Sequence, residues 1–150
     1  MSDLPHARRF ADLIAYQRAR TVEGKIFEIS RVFPRAELYS LTSQIRRSSR
    51  SIGAQIAQAW AKRRYPRHFV SKLTDADAEQ LETQHWVHVA RSCGYLTKTQ
   101  ESDLIERLLE IGRILHSMIQ KADSFCGEVP PFVREEPEEY LSRTTRSLDH

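Results

Sequence analysis

Apolar residues recur at a spacing of three and four from Phe10 to Phe125, the period of a helix that buries one face. Three breaks interrupt this pattern, at Phe33-Pro34, Tyr65-Pro66 and Cys93-Gly94. Proline pushes the preceding residue out of the helical region, and glycine suits the end of a helix. Because short links between long helices imply antiparallel neighbours, the pattern predicts an all-α fold, an antiparallel up-down-up-down four-helix bundle.

The first predicted helix begins near Pro5 or Ala7 and runs to about Val32, since proline is well suited to an early helical position. Gly24 lies mid-helix at a cost of about 1 kcal/mol relative to Ala, which indicates either a close backbone approach or simple tolerance. The apolar band of this helix is broad enough to touch two neighbours, including one from another subunit. Its members are Phe10, Leu13, Ile14, Gln17, Ala19, Val22, Ile26, Ile29 and Phe33.

The second predicted helix, from Leu38 to Arg64, has two different faces. Its core-facing stripe is completed by Ser48 or Ser49 and consists of Leu38, Leu41, Ile45, Ile52, Ile56 and Ala59. At about 100° per residue, Arg46, Arg47 and Arg50 project away from that stripe. No acidic residue lies one turn from them in the same helix. One face is therefore expected to enter the core and the other to present guanidinium groups to water.

The third predicted helix follows a strict alternation of four and three, and two polar residues lie in the middle of its apolar seam. The seam comprises Phe69, Leu73, Ala76, Gln80, Thr83, Val87 and Ala90. Buried polar groups need partners, so we expect an interhelical hydrogen-bond network. Its partners on the second helix would be Gln44, Ser48, Ser51, Gln55 and Gln58. The alternative is that most of these side chains reach solvent.

The fourth predicted helix begins at a capping box, Thr97 to Gln100, and ends at Gly127. Its stripe comprises Leu104, Leu108, Ile111, Leu115, Met118, Ala122 and Phe125. We therefore expect a four-helix bundle domain over residues 1–127. Residues 128–150 are acidic and proline-rich, which predicts a flexible or loosely docked tail. A sharper alternative is that the tail lies over the basic face of the second helix and screens it.

Charge is distributed unevenly along the 150 residues. The first 64 residues carry 13 Lys and Arg against 5 Asp and Glu, whereas the remaining 86 carry 10 against 15. A basic half attracts polyanions or an acidic protein surface. The chain has neither an apolar run long enough for a membrane span nor an apolar signal core. With only Cys93 and Cys126, far apart in sequence, we expect a cytoplasmic protein in a reducing compartment.

Catalytic and metal-binding motifs are missing from the sequence. There is no phosphate-binding glycine loop, dinucleotide fingerprint, zinc-protease motif or nucleophile elbow. Glu82-Thr-Gln-His85 resembles half of a di-metal bundle site, but Glu110 and His116 in the fourth helix have the wrong spacing. We therefore predict no enzyme activity, no catalytic residue, no metal and no cofactor. His85 and His88 are expected at a surface or interface, and Trp60 and Trp86 in packing.

The candidate nucleic-acid-binding residues are basic residues on and just after the second helix. They are Arg46, Arg47, Arg50, Lys62, Arg63, Arg64 and Arg67. Guanidinium groups could neutralise backbone phosphates without reading base sequence. The alternative is a solvated helix face, with Lys62, Arg63 and Arg64 favoured there by the negative end of the helix dipole.

Four stretches of the chain resemble four-helix bundle proteins encoded in intervening sequences of bacterial 23S ribosomal RNA genes. They are residues 10–34, residues 37–57 and residues 79–84 with Gly94-Tyr-Leu96. The resemblance implies a bundle that assembles into a homopentameric ring. A relative is the accessory protein of diversity-generating retroelements, which binds a reverse transcriptase and nucleic acid through a basic surface. Gln55, Gln58 and Ala59 depart from the family pattern, which usually has Asn and Glu in this run, and imply a neutral interhelical network.

These observations predict a non-catalytic accessory protein that binds nucleic acid or a ribonucleoprotein through the basic face of an oligomeric bundle. Expected partners are RNA or DNA, copies of this chain, and a reverse transcriptase or another acidic protein. The alternative function is a protein–protein assembly or scaffold module with no nucleic-acid role, in which the arginines meet acidic protein surfaces.

Overall fold

The computed structural model describes residues 7–126, which contain four long helices, one short helix and no strand. The helices are α1 (Ile14–Ser30), α2 (Leu41–Ala61), α3 (Pro66–Ser92), α4 (Lys98–Gln120) and α5 (Ala122–Cys126). Two 3-10 turns, Phe10–Asp12 and Arg35–Glu37, precede α1 and α2. The predicted all-α fold is confirmed.

The four long helices form a closed bundle in which each packs against two neighbours. α1 contacts α2 and α4, and α3 contacts the same two helices from the other side. Arg18 of α1 pairs with Glu110 of α4, and Lys25 further along α1 pairs with Asp103, earlier in α4. These two helices therefore run in opposite directions, and the short links make each successive pair antiparallel as well. The predicted up-down-up-down topology is confirmed.

The core is built mainly from the stripes that the apolar spacing predicts, although Phe10 and Gln17 of the first predicted band are exposed. All seven seam positions of α3, from Phe69 to Ala90, are buried, and so are both Ser48 and Ser49 on α2. On α2 the stripe from Leu41 to Ala59 is buried, but Leu38 is 44% exposed. Gly24 has nothing within 4 Å of where a Cβ would lie, so the structure favours tolerance over a close backbone approach.

The predicted start of the first helix is wrong. Leu13 has extended backbone angles, and α1 begins only at Ile14. The Asp12 carboxylate accepts hydrogen bonds from the backbone N–H groups of Arg8 and Arg9, which also hold the pKa of that carboxyl below its ordinary value. These local bonds compete with a helical turn. The predicted position Pro5 lies outside the described residues.

The predicted start of the second helix, at Leu38, is also wrong. Backbone bonds from Leu38 to Arg35 and from Ser40 to Glu37 close successive tight turns, and Ser40 departs from helical angles. α2 therefore begins three residues later, at Leu41. This shift leaves Leu38 and Tyr39 in the link between α1 and α2, where both side chains are exposed.

The two ends of α4 differ in how closely they follow the prediction. The capping box is present, since Thr97 Oγ1 accepts from the Gln100 N–H and the Gln100 side chain accepts from the Thr97 N–H. The helix ends at Gln120 rather than continuing to Phe125. The separate helix α5 packs against α3, with Phe125 stacked on Phe69 at 5.5 Å between ring centroids. Gly127 and the predicted tail, residues 128–150, lie outside the described residues.

Two further features concern the chemistry of the described chain. None of its helices combines the length and the apolar character needed to cross a lipid bilayer. Cys93 is exposed and Cys126 is buried, and no disulfide bond joins them.

Candidate nucleic-acid interface

Arg46 and Arg50 of α2 share one aromatic ring contributed by α1. Their guanidinium carbons lie 4.9 and 5.8 Å from the centroid of Phe27. Because α1 and α2 are antiparallel neighbours, the end of α1 reaches the first half of α2 and places Phe27 beside these two residues. An arginine over a ring face is attracted to the electrons of the ring. We call Arg46 and Arg50 the arginine pair.

Arg46 is held at a second point. Its Nε donates a hydrogen bond of 2.8 Å to the Oγ of Ser30, which is buried at the end of α1. This contact uses one of the five guanidinium N–H groups and leaves the terminal ones for another acceptor. Within residues 7–126, no carboxylate lies within the 4.0 Å ion-pair distance of either member of the arginine pair.

Arg47 has different surroundings, although it lies between the arginine pair in sequence. Its Nη1 is 3.5 Å from Glu79 Oε2, and its Nη2 donates to Glu82 Oε2, both on α3. The expectation that the arginines lack acidic partners along their own helix is correct. The partners of Arg47 come instead from the neighbouring helix, so its charge is largely balanced within the fold.

A shallow cleft of about 630 Å³ runs along this part of α2. It is lined by Leu38, Tyr39, Thr42, Ser43, Arg46, Arg47, Arg50, Ser51 and Ala54. Tyr39, 92% exposed, stands beside it in the link before α2. Sequence reasoning did not single out Tyr39, and the only available signal was an aromatic residue directly before a predicted amphipathic helix. We call this feature the Tyr39 cleft.

The remaining predicted basic residues form a separate patch at the other end of α2, which we call the link cluster. It consists of Lys62, Arg63, Arg64 and Arg67. Arg63 lies 4.0 Å from the ring of Trp60 and donates to the Trp60 carbonyl at 3.0 Å, so it serves the end of the helix. The other three are exposed. At 1.5 Å per residue, Lys62 lies about 24 Å along the helix axis from Arg46.

The predicted polar network between α2 and α3 is reduced to one interhelical hydrogen bond. Thr83 donates to the Oγ of Ser48 at 2.9 Å, and both residues are buried. Gln80 has partners within its own helix instead, because it donates to Asp77 Oδ1 and accepts from Gln84. Its amide nitrogen faces α4, 3.0 Å from where a Cβ on Gly112 would lie.

The other four members of that predicted set make no hydrogen bond between α2 and α3. Ser51 donates to the Arg47 carbonyl one turn earlier. Gln55 Oε1 is buried and has no hydrogen-bond partner among the described residues. Gln44 is partly buried and Gln58 is exposed. Ser48 and Thr83 are thus the pair that the fold brings together.

The residues considered for metal binding are dispersed. Glu82 accepts hydrogen bonds from Arg47 and Trp86, and His85 is exposed with its ring edge against Trp86. His116 pairs with Asp77 on α3. In the part of the chain that the structure describes, no three His, Cys, Asp or Glu residues are close enough to hold a metal ion. The absence of catalysis and of a cofactor stays a prediction.

Comparison with known protein families places this geometry in a wider context. A family model described as 23S rRNA-intervening sequence protein matches residues 11–117. The chain belongs to this family. The match to the 23S rRNA-intervening sequence proteins extends from the turn before α1 through most of α4, and it includes the arginine pair and the Tyr39 cleft. The family resemblance seen in the sequence is confirmed.

A solved structure agrees with this assignment. It is a protein of unknown function from the S23 ribosomal protein family of Bacteroides thetaiotaomicron VPI-5482, with 25% sequence identity and a TM-score of 0.65. The similarity covers 71% of this chain and 96% of that chain. No curated protein matches the chain. Membership of the 23S rRNA-intervening sequence family thus establishes the fold and suggests an RNA-related role.

Proposed function

We propose that this protein is a non-catalytic accessory protein that binds nucleic acid or a ribonucleoprotein through the arginine pair. The observation that carries this proposal is that Arg46 and Arg50 are anchored on Phe27 and, within residues 7–126, have no acidic partner. The family's description refers to a ribosomal RNA gene, which supports an RNA-related role. Both RNA and DNA are candidate ligands.

The packing of the arginine pair suits phosphate recognition. A guanidinium group stacks through its flat face and donates hydrogen bonds along its edge, so an arginine on Phe27 can still form a bidentate contact with a phosphate. Restraint by the ring and by Ser30 also reduces the side-chain entropy that Arg46 would lose on binding. Contacts of this kind neutralise charge and do not distinguish base sequence.

The decisive experiment is a salt titration of binding to single-stranded and duplex oligonucleotides, measured by fluorescence anisotropy. The slope of log affinity against log salt is negative, and each lost phosphate contact reduces its magnitude by about 0.7 for single strands and about 0.9 for duplexes. We expect Arg46→Ala/Arg50→Ala to reduce the magnitude of the slope by about twice these values. We expect the wild-type protein to lose affinity steeply as salt rises.

A matched control removes the same charge elsewhere. Arg113 and Lys121 are exposed residues on α4 and just after it, and neither is in an ion pair among the described residues. Arg113→Ala/Lys121→Ala should therefore keep the wild-type slope. Absence of binding by the wild-type protein at low salt would contradict the proposal, as would equal slope changes in the two double variants.

A second candidate function is a protein-assembly module without a nucleic-acid role. It is favoured by exposed apolar side chains in the link between α1 and α2, where Val32 is 81% exposed and Leu38, which lines the Tyr39 cleft, is 44% exposed. An acidic protein, such as a reverse transcriptase, would then cover the same face. Failure to bind any oligonucleotide at low salt, together with a stable complex with an acidic protein that Arg46→Ala/Arg50→Ala abolishes, would favour this function.

We further propose that the chain acts as a homo-oligomer in the cytoplasm, with the pentamer as the expected form. Repetition of one arginine pair in several subunits would multiply a weak contact by avidity. Light scattering coupled to size-exclusion chromatography gives the subunit number directly. A monomeric mass at micromolar concentration would contradict the oligomeric part of this proposal and leave the binding surface in place.

A further inference from the structure

The Tyr39 cleft combines an exposed aromatic ring with two guanidinium groups that have no carboxylate partner within residues 7–126, which suits a nucleotide with an accessible base. We propose that it binds single-stranded nucleic acid, with one unpaired base stacked on Tyr39 and the adjoining phosphate held by the first turn of α2 and by Arg46. This inference rests on the proposed function and names its ligand class.

Tyr39 is placed as a stacking platform by the turn that carries it. Its side chain is 92% exposed. The backbone on either side is fixed, because Leu38 N–H donates to the Arg35 carbonyl at 3.1 Å and Ser40 N–H donates to the Glu37 carbonyl at 3.0 Å. An aromatic ring on a fixed backbone offers a flat surface to any base, since every base has a π face.

The first turn of α2 supplies donors for a phosphate. α2 begins without a side-chain cap, because the Ser40 hydroxyl donates to the Glu37 carbonyl instead of accepting from the helix. The first N–H groups of a helix have no intrahelical partner and carry partial positive charge. Thr42 lines the cleft, is 3% exposed, and its buried Oγ1 has no hydrogen-bond partner among the described residues.

The charges around these donors agree with an anionic ligand. Arg46 lies one helical turn beyond Thr42 on the same side of α2, and Arg50 lies a further turn on, so the guanidinium groups continue the line of donors. Ser43 also lines the cleft, but its hydroxyl already donates a hydrogen bond to the Ser40 carbonyl. Among residues 7–126, no acidic residue lines the cleft.

An unpaired base is required because a ring can stack only on a free π face. In a duplex, each base is covered by its neighbours, and the outer surface presents phosphates and groove edges. A duplex could therefore contact the arginine pair but not the face of Tyr39. Single strands should bind more tightly than duplexes with the same number of phosphates.

The test measures anisotropy of labelled oligonucleotides at fixed low salt, with single-stranded RNA, single-stranded DNA and a DNA duplex. Tyr39→Ala should weaken binding of both single strands by about fivefold to a hundredfold, the range for one base stacked on an aromatic ring. Tyr39→Phe should retain wild-type affinity because it keeps the ring. Leu81→Ala, which truncates an exposed apolar residue on α3, is the matched control and should leave binding unchanged.

A strand whose nucleotides lack their bases separates base stacking on Tyr39 from phosphate binding by α2 and Arg46. Tyr39→Ala should not affect binding of this strand, since it has no base to stack. Thr42→Val should weaken both the abasic and the normal strand, because it removes a phosphate donor while keeping the shape of the side chain. The duplex should respond to Thr42→Val and not to Tyr39→Ala.

The outcomes separate this inference from the proposed function. If single strands and duplexes bind equally and Tyr39→Ala changes neither, the single-strand inference is wrong while the proposed function stands. If no oligonucleotide binds, both fail. If Tyr39→Ala instead changes the oligomeric mass in light scattering, Tyr39 belongs to a subunit contact and the inference is overturned.

Discussion

Arg46, Arg47 and Arg50 show how neighbouring residues of one helix acquire different chemical environments. Arg46 and Arg50 rest on the ring of Phe27 of α1, whereas Arg47, which also lines the Tyr39 cleft, reaches Glu79 and Glu82 of α3. A half-exposed ion pair contributes about 0 to 1 kcal/mol to stability. Arg47 is thus expected to act on the α2–α3 contact and the arginine pair on a ligand.

The first prediction compares Arg47→Ala with Arg50→Ala, which remove the same charge. Arg50→Ala should reduce the magnitude of the salt slope for single strands by about 0.7, the value for one phosphate contact. Arg47→Ala should leave the slope unchanged and slightly lower the free energy of unfolding in urea. Equal salt slopes for Arg47→Ala and Arg50→Ala would mean that Arg47 breaks its ion pairs with Glu79 and Glu82 and binds phosphate instead.

The second prediction concerns the buried bond between Ser48 and Thr83. Ser48→Ala and Thr83→Val should each destabilise the fold by about 1 kcal/mol, the usual net value of a hydrogen bond. The double variant should lose about 0.5 to 1.5 kcal/mol less than the sum, because each single change already breaks the shared bond. The measurement is the free energy of unfolding in urea for the wild-type protein, the two single variants and the double variant.

A matched control for this cycle is Thr21→Val on α1. Thr21 is exposed, and among the described residues its hydroxyl donates to the Gln17 carbonyl of its own helix alone. Its replacement should change stability by less than about 0.5 kcal/mol. Additive effects of Ser48→Ala and Thr83→Val would show that the two hydroxyls do not depend on each other.

At the level of helices, the starts of α2 and α4 are built differently. Thr97 caps α4 through a reciprocal pair of bonds with Gln100, while Ser40 at the start of α2 makes no capping bond. A well-capped helix end is stabilised locally. An uncapped end leaves its N–H groups available, and that end of α2 is the one beside the Tyr39 cleft.

The third prediction uses this contrast. Thr97→Ala should destabilise the protein by about 1 kcal/mol, the typical cost of losing a capping side chain. Ser40→Ala should cost less than about 0.5 kcal/mol, because its hydroxyl donates to the Glu37 carbonyl and does not cap α2. Thermal or urea unfolding measures both. A larger loss for Ser40→Ala would contradict the assignment of α2 as uncapped.

The sequence predicted helices well where local signals agree. Pro66 opens α3, and every seam residue from Phe69 to Ala90 is buried, because one period and one proline determine that helix. The start of α1 was not predictable in the same way. It depends on the Asp12 carboxylate taking two backbone N–H groups, which competes with a proline signal nearby.

The candidate site was predictable only in part. The periodicity places Arg46 and Arg50 away from the core stripe, and the structure agrees. The partners of Arg47 lie on α3, more than 30 positions away along the chain, so spacing within α2 could not reveal them. The exposure of Tyr39 depends on α2 starting at Leu41, and an aromatic residue before a helix fits packing equally well.

For the whole molecule, the basic residues near α2 form two patches rather than one. The arginine pair lies near the start of the helix and the link cluster lies after its end, about 24 Å away along the axis at 1.5 Å per residue. At 3.4 Å per base pair, a duplex would need about seven base pairs to span that distance. Ligand length therefore decides whether both patches can be used together.

The fourth prediction compares DNA hairpins with stems of about 5 and about 14 base pairs, which lie on either side of the seven needed to span both patches. Lys62→Ala/Arg64→Ala should weaken binding of the long stem and leave the short stem unchanged. Arg46→Ala/Arg50→Ala should weaken both stems. Anisotropy at fixed salt measures these affinities, and an unchanged long stem in the Lys62→Ala/Arg64→Ala variant would show that the link cluster faces away from the ligand.

The bond between Arg46 and Ser30 joins two helices at the surface where a ligand is expected. That geometry exists only while α1 is docked on α2, so an unfolded chain offers the same charges without the same arrangement. A molecule that selects this surface therefore shifts the folding equilibrium, by about 2.7 kcal/mol when present at a hundred times its dissociation constant. The melting temperature of the unlabelled protein then becomes a screen for its physiological partner.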